Sequence, residues 1–292
     1  MLDFFSDWLT RAPLWAIALV ILGGLVGASL LGSGLRRRRD RKLAKRGTAA
    51  EQGEQTITVS SVMGLLALLV AFTFSIALER FDTRRLNVLD ESNAIGTTYL
   101  RAQLLEQPHR ERISTLLVDY TDTRVAVATM HPGPKQRELL RTSDRLIVDM
   151  WAATAAAFPS IQGTSFSQSF LESMNSLIDM DARRKAGRGS HVPSAVFFAL
   201  FLYQLVAAGM ISYVVIGRRS RHTAWVLFVL LGLFLFLIID IDRPTSGAVR
   251  ESQNSMLQLQ SFLKAQPPGT FDRYKGARTG GSSDVGAPGA KQ

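Results

Sequence analysis

The chain of 292 residues carries 34 basic and 24 acidic side chains, for a formal net charge of +10, and 47% of its residues are hydrophobic. It contains no cysteine, which excludes disulfide bonds and thiolate metal sites. A soluble domain could also reach this hydrophobic fraction. The class of protein is therefore decided by how the apolar residues are distributed along the chain.

The apolar residues are concentrated in four stretches, paired two and two around a charged middle region: 13–31, 57–78, 194–216 and 224–239. Each is long enough, or nearly so, for a helix to cross about 30 Å of hydrocarbon, which takes roughly 20 residues. A helix pairs its own backbone groups and is therefore stable in lipid. We predict an all-α integral membrane protein with four transmembrane helices and a helical bundle inserted between the second and third.

The same pattern predicts the order of the segments. They are an N-terminal segment (1–12), transmembrane helix 1 (13–34), a basic cytoplasmic loop (35–56), transmembrane helix 2 (57–80), a helical extramembrane domain (81–192), transmembrane helix 3 (193–216), a second basic cytoplasmic loop (217–223), transmembrane helix 4 (224–241), an interfacial amphipathic segment (242–265) and a disordered tail (266–292). We expect the first helix to be a retained anchor, because Asp3 and Asp7 precede it and a run of arginines follows it.

Basic residues in the short loops predict the orientation, because cytoplasmic loops carry an excess of lysine and arginine. The first loop holds eight of them between Arg36 and Arg46, and the loop 217–223 holds three and no acid. With both loops in the cytoplasm, the N-terminus, residues 81–192 and the C-terminus lie outside the inner (plasma) membrane. The first loop could also bind anionic lipid headgroups, but a topology determinant is the favoured interpretation. No nucleic-acid partner is expected, since no aromatic residue interleaves the basic run.

The middle region shows helical periodicity throughout. We expect one continuous helix from Thr58 to about Leu105, since neither glycine nor proline interrupts the stretch from Phe81 to Gly96. Further helices are predicted from Pro108, between the break at 131–134 and Pro159, from Ser165, and over 249–263. From Gln266 onward the composition predicts disorder.

Charged residues cluster where the second and fourth membrane helices end. The ends lie on the same side of the membrane, so these residues are expected to approach one another: Glu79, Arg80, Asp82, Arg84, Arg85, Asp240, Asp242 and Arg243. Ionisable groups near hydrocarbon usually pair or face water. One interpretation is an ion-filtering ring at a pore mouth. The favoured one is a salt-bridge cluster that joins two helices.

Small residues recur every three or four positions along the second membrane helix: Ser60, Gly64, Ala67, Ala71 and Ser75. Gly23 and Gly27 form a similar pair in the first. Such stripes allow helices to approach closely in lipid, and close packing is favoured over the alternative of a narrow pore lining.

Two sets of polar residues carry oxygen atoms that could bind a hard cation: residues Asp90 to Asn93, and Asp179 with Asp181. Their spacing matches no cation-binding loop, so a solvated helix face is the favoured interpretation for both. The four histidines lack metal-ligand spacing, and no phosphate-binding loop or nucleophile motif is present. We therefore predict neither an enzyme nor a bound metal or cofactor.

Three strings, FSIALERFDTRR, LDESNAIGTTYLRAQLL and DIDRPTSG, resemble a bacterial four-helix membrane family of unknown function that is labelled bestrophin-like, over residues 57–260. The resemblance implies an integral membrane protein. Its label points towards bestrophins, oligomeric anion channels in which the second membrane helix lines the pore and the large helical region is cytoplasmic. That location is opposite to the one predicted from the basic loops.

Two functions are therefore expected from the sequence. The first is a homo-oligomeric, bestrophin-like ion (anion) channel in the lipid bilayer, in which charge reversal at Arg84 or Asp242 would change ion selectivity. The alternative is a non-conducting membrane scaffold or receptor whose helical extramembrane domain binds a partner or ligand.

Overall fold

The computed structural model describes residues 8–9, 12–42, 49–130, 133–215, 218–243, 247 and 249–273, and these contain no β-strand. The helices, in chain order, are α1 (Leu14–Lys42), α2 (Ala49–Ala102), α3 (His109–Thr129), α4 (Pro134–Ile161), α5 (Ser165–Gly189), α6 (Ser194–Val214), α7 (Arg218–Asp242) and α8 (Asn254–Ala265), followed by a 3-10 helix (Pro268–Asp272). The predicted all-α class is confirmed.

Four helical stretches are long and apolar enough to cross a membrane: Leu14–Arg39, Ile57–Ala102, Ser165–Val214 and His222–Asp242. Their outward surfaces carry large apolar side chains such as Trp15, Phe72 and Val226, each at least 60% exposed. Such a surface is unfavourable in water and favourable against hydrocarbon. The chain is thus an integral membrane protein with four transmembrane helices.

The predicted continuous second helix is confirmed, because α2 runs without interruption over 54 residues. At 1.5 Å per residue it is about 80 Å long, far more than a bilayer requires. The chain divides into two compact units, and α2 contributes residues to both. Unit 1 comprises residues 1–86 and 185–251, and unit 2 comprises 87–184 and 252–292.

Unit 1 contains the apolar parts of the four membrane helices. Helix α1 packs against α6 and α7, and α6 packs against α7. The core is formed by aliphatic and aromatic side chains from all four helices, including Ile21, Leu66, Phe197 and Phe228. These contacts hold the four helices together as one bundle.

Glycines set the distance between α1 and α6, although not the ones expected. A Cβ atom on Gly32 would lie 2.1 Å from the carbonyl oxygen of Gly209, so only glycine fits there. Gly24 lies against the ring of Phe201. A Cβ on Gly23 or Gly27 would meet nothing within 4 Å. Within the single chain, the expected Gly23 and Gly27 pair therefore makes no close packing contact. The close approach uses the neighbouring helical face, because a shift of one position turns a helix by about 100°.

Unit 2 is a helical bundle in which α3 packs against α4, α8 and the 3-10 helix. Its core is built from residues at helical spacing, such as Ile113, Leu117 and Tyr120 on α3 and Phe170 and Met174 on α5. The amphipathic patterns in the sequence therefore correspond to buried helix faces, as expected from their period.

Several helix ends differ from the prediction. Helix α1 continues through the arginine run to Lys42, and α7 begins at Arg218, since arginine and lysine are good helix formers. Disorder from Gln266 is wrong for the 3-10 helix, because Arg110 donates hydrogen bonds to the Pro268 carbonyl and to Asp272 at 2.7 Å. Residues 274–292 lie outside the described part of the chain.

Candidate functional site

Helix α2 presents two different sides in unit 1. One side is buried and carries Leu66, Val70, Thr73, Ala77 and Arg84. The predicted small-residue stripe lies on another side, and all of its residues are exposed in the single chain: Ser60, Gly64, Ala67, Ala71 and Ser75. With about 100° of rotation per residue, the two sides are separated by about 130°. Close packing within the described chain therefore does not use this stripe.

The charged residues of α2 divide between the same two sides. Arg80 and Arg84 lie on the buried side. Arg84 is 4% exposed, and Arg80 donates a hydrogen bond to the Ser190 hydroxyl. Glu79, Asp82 and Arg85 are exposed. Asp82 and Arg85 extend the line of the small-residue stripe, and Glu79 lies beside it. Adjacent positions in the sequence thus serve different surfaces of the molecule.

Arg84 joins α2 to the end of α7. Its Nη2 donates a hydrogen bond to the Ile241 carbonyl at 2.9 Å, and its Nε forms an ion pair with Glu251 at 2.8 Å. The last carbonyls of a helix have no partner within the helix and carry partial negative charge, so a cation there is stabilising. The arginine therefore caps α7 while the charge of Glu251 balances its own.

The acidic residues at the end of α7 bind backbone N–H groups. Asp242 accepts a hydrogen bond from the Val192 amide at 3.0 Å, and its other carboxylate oxygen lies 3.6 Å from Nδ1 of His191. Asp240 accepts one from the Val249 amide at 3.2 Å. Both residues are buried, Asp242 at 5% exposure and Asp240 at 3%. They fix the chain segments that enter α6 and leave α7.

Arg243 completes this arrangement by binding the N-terminal segment. Its guanidinium donates to the carbonyl oxygen of Ala12 at 2.8 Å and to that of Leu9. The chain that follows α7 also needs a glycine at position 247, because a Cβ atom there would lie 2.7 Å from the Asp240 carbonyl oxygen. We call Arg84, Asp240, Asp242 and Arg243 the rim cluster. The sequence analysis predicted that these four residues lie close together. It did not predict their partners, which are Glu251, His191, Leu9 and Ala12.

Unit 2 holds a second charged cluster, which is fully enclosed. Glu91 on α2 is 0% exposed and forms ion pairs with Arg124 of α3, at 2.8 Å, and with Arg184 of α5. Asp181 lies 3.4 Å from Arg124. The solvated face expected for Glu91 and Asp181 is therefore wrong, whereas Asp90, Asn93 and Asp179 are exposed. The two carboxylates and two guanidinium groups are together neutral, which is the condition for burying charge.

Tyr120 and Gln253 complete this internal cluster. The Tyr120 hydroxyl lies 2.7 Å from a Glu91 oxygen and 3.0 Å from Asp181, and Arg184 donates to Gln253 at 2.9 Å. Burial raises the pKa of Tyr120 well above its ordinary value, and the charge of Glu91 adds to the shift. Burial alone would lower the pKa of Arg124, but the charges of Glu91 and Asp181, the neighbouring Tyr120 and the hydrogen bond to Glu91 together raise that pKa. Tyr120 is thus a neutral donor and Arg124 a permanent cation.

A sequence signal for this internal cluster exists. Glu91 falls on the same face of α2 as Val88, Ile95 and Tyr99, and Arg124 falls on the apolar face of α3. Asp181 and Arg184 likewise continue the buried face of α5. Charged residues in the apolar stripes of several helices of one bundle indicate paired burial, since an unpaired buried charge is too costly.

Unit 2 also has an open, polar cavity of about 440 Å³ between α2 and α5. Asp90, Asn93, Thr97 and Arg101 line one wall, and Glu172 and Ser176 line the other. Within the described residues no group of three or more histidine, cysteine or acidic side chains is arranged to hold a metal ion. The mixed charges of the cavity fit a small polar ligand better than a bare cation.

Comparisons with known proteins bear on the fold and the family. Two crystal structures of point variants of a bacterial bestrophin homologue from Klebsiella pneumoniae resemble the chain. One has a TM-score of 0.60 at 14% identity over 85% of this chain and 97% of its own, and the other 0.60 at 15% over 84% and 98%. At this identity the likeness establishes a shared fold.

No curated protein matches. The model of the bestrophin-like domain matches residues 18–256, most of the chain, and the protein therefore belongs to the bestrophin-like family.

Proposed function

We propose that the chain is one subunit of a symmetric homo-oligomeric ion channel in which α2 lines the ion path. The observation that carries the proposal is the exposure of the complete small-residue stripe on α2, while a different side of the same helix packs into unit 1. In lipid, small side chains let helices approach one another closely. Around a symmetry axis they leave an open space between copies.

The charges on that side of α2 favour an ion path over a lipid-facing surface. Asp82 and Arg85 follow the stripe and Glu79 flanks it, all three exposed. Ionisable groups are costly against hydrocarbon and are found where water reaches them. Repeated around an axis, they would form a ring of charge at one mouth of the pore. In this proposal, Arg84 and Asp242 of the rim cluster support the helix ends and do not line the ion path. The substitution that tests ion selectivity is therefore made at Asp82.

Ion flux from liposomes that contain the purified protein tests this proposal. Ala71→Phe places a large ring on the stripe and should reduce flux about tenfold, because it narrows the path. Ala199→Phe is the matched control, since Ala199 is an exposed alanine of a different helix, α6, and is not part of the stripe. Equal flux through the two folded variants would contradict the proposal. Asp82→Asn should raise the permeability of anions relative to cations, measured as a shift in reversal potential.

We further propose that the chain has the basic end of α1 in the cytoplasm and unit 2 outside the inner membrane, because basic residues are retained on the cytoplasmic side. The chain has no cysteine, so single introduced cysteines report cleanly. In intact spheroplasts, a membrane-impermeant maleimide should label Lys135→Cys on α4. Arg37→Cys on α1 should be labelled only after permeabilisation. The reverse pattern would place unit 2 in the cytoplasm.

The polar cavity of unit 2 favours a second candidate function, a receptor or scaffold that binds a small polar ligand. This candidate needs no ion path. It would be supported by a folded protein that conducts no ions and forms no assembly able to enclose a pore.

A further inference from the structure

A long apolar groove runs along unit 1 between α1, α6 and the beginning of the apolar part of α2. Its volume is about 950 Å³, within the range of ligand pockets in proteins. Gly24, Gly27 and Ala28 form part of its floor on α1, and Leu205 and Met210 form part of its wall on α6. The groove exists because small residues leave space beside the close contact of Gly32 with Gly209.

The groove has the length of one membrane leaflet. Its lining on α1 extends from Gly24 to Leu35, which is about 16 Å at 1.5 Å per residue. Half of a hydrocarbon core of about 30 Å is about 15 Å. An acyl chain that begins at the interface would therefore reach the inner end of the groove near the middle of the bilayer.

One end of the groove is basic. Tyr213 lines the wall there, and its hydroxyl accepts a hydrogen bond from Arg39 at 2.7 Å. Arg36 donates to the carbonyl oxygens of Tyr213 and Val214, both at 2.7 Å. The next positions on α1, Arg37 and Arg38, are exposed. Four consecutive arginines thus follow directly on the apolar lining, in the position of a headgroup.

We propose that this groove binds an anionic phospholipid, with an acyl chain along Gly24, Gly27 and Ala28 and the phosphate at Arg36–Arg39. The apolar walls and the basic end match the two chemical parts of such a lipid. The proposal does not depend on ion conduction.

Native mass spectrometry of the purified full-length protein, with added phosphatidylglycerol or phosphatidylcholine, tests the proposal. The wild-type protein should bind phosphatidylglycerol about tenfold more tightly than phosphatidylcholine. Gly27→Leu reduces the volume of the groove, and its Cβ meets nothing within 4 Å, so it should weaken this binding about tenfold. Gly23→Leu is the matched control: its Cβ is equally free, but Gly23 is not in the groove, so binding should be unchanged.

A second variant separates the headgroup from the acyl chain. The double substitution Arg37→Gln and Arg38→Gln leaves the groove intact and should make the two lipids bind alike. If Gly27→Leu fails to fold, this variant alone decides the question. Equal binding of the two lipids to the wild-type protein, or wild-type binding by folded Gly27→Leu, would overturn the proposal. Disulfide crosslinks between subunits through Gly27→Cys would overturn it in favour of a second copy as the occupant.

Discussion

The two charged clusters of this protein stabilise different things. In the rim cluster of unit 1, the charged side chains mostly bind backbone groups: Arg84 the Ile241 carbonyl, Asp242 the Val192 amide, Arg243 the Leu9 and Ala12 carbonyls. In unit 2, Glu91, Arg124, Asp181 and Arg184 mostly bind one another. The rim cluster therefore fixes helix ends and chain segments, whereas the internal cluster joins helices through a balance of charge.

This difference predicts unequal costs of substitution. Removing one member of a neutral, enclosed set leaves a buried charge that nothing balances. Removing a charged group from a helix end leaves a backbone group that has lost one partner, which costs less when water can reach it. The substitutions below test this order, from the largest expected effect to the smallest.

Glu91→Ala should have the largest effect. It leaves Arg124, which is 0% exposed, and Arg184 facing one another without the shared carboxylate. We expect the free energy of unfolding to fall by about 3–5 kcal/mol. The measurement is the midpoint of thermal unfolding of the purified protein in detergent. Asp90→Ala, at the exposed neighbouring position, is the control and should leave the midpoint unchanged; equal midpoints for the two variants would refute the role assigned to Glu91.

Arg84→Ala should have an intermediate effect. It removes the ion pair with Glu251, whose side chain is 14% exposed, and the cap on the Ile241 carbonyl. A loss of about 2–3 kcal/mol is expected, which is below the cost of Glu91→Ala. Arg85→Ala changes an exposed arginine one position away and should be close to neutral. If Arg84→Ala costs more than Glu91→Ala, the contrast between the two clusters does not hold.

Gly32→Ala tests the contact between α1 and α6 without changing any charge. Its Cβ would lie 2.1 Å from the Gly209 carbonyl oxygen, so the helices must separate. Overpacking of this kind costs about 1–3 kcal/mol. Gly34→Ala on the same helix meets nothing within 4 Å and should not destabilise the protein. A Gly32→Ala variant as stable as Gly34→Ala would mean that the two helices do not touch there.

Alkaline pH should weaken the internal cluster by the smallest amount. The pKa values of Tyr120 and Arg124 are both raised in the folded protein, so their protonated forms contribute stability that is fully present below the ordinary pKa values, which for tyrosine is 10.0. That contribution is lost as the pH rises towards the folded values. Between pH 8 and pH 11, the stability difference between the wild-type protein and Tyr120→Phe should therefore shrink. A constant difference would show that Tyr120 has an ordinary pKa.

Periodicity in the sequence was sufficient for the helices but not for the two clusters. It predicted the four membrane helices, the continuous α2 and the helices of unit 2, because these depend on local spacing and length. It also placed Arg84 and Asp242 near one another. The partners of the rim cluster were missed, since Glu251, His191 and Ala12 lie in separate segments of the chain.

The buried state of Glu91 was missed for a related reason. Its neighbours Asp90, Ser92 and Asn93 are polar, so the local sequence is typical of a solvated helix. Burial depends on Arg124 and Arg184, 33 and 93 positions later in the chain, whose contribution no local pattern contains. The groove was missed for the same reason. Gly23 and Gly27 were assigned to packing, and the contact of Gly32 with Gly209 depends on how α1 and α6 pack, which the local sequence does not show.

The central claim, that the exposed stripe of α2 faces other copies around an ion path, is tested most directly by the protein mass of the complex in detergent. Light scattering with the detergent contribution subtracted provides that mass. The account predicts a discrete assembly of several subunits of 32.1 kDa each, because only a closed ring of copies can enclose a path lined by α2. A monomer or a simple dimer cannot enclose a pore lined by α2, and either result would contradict the account.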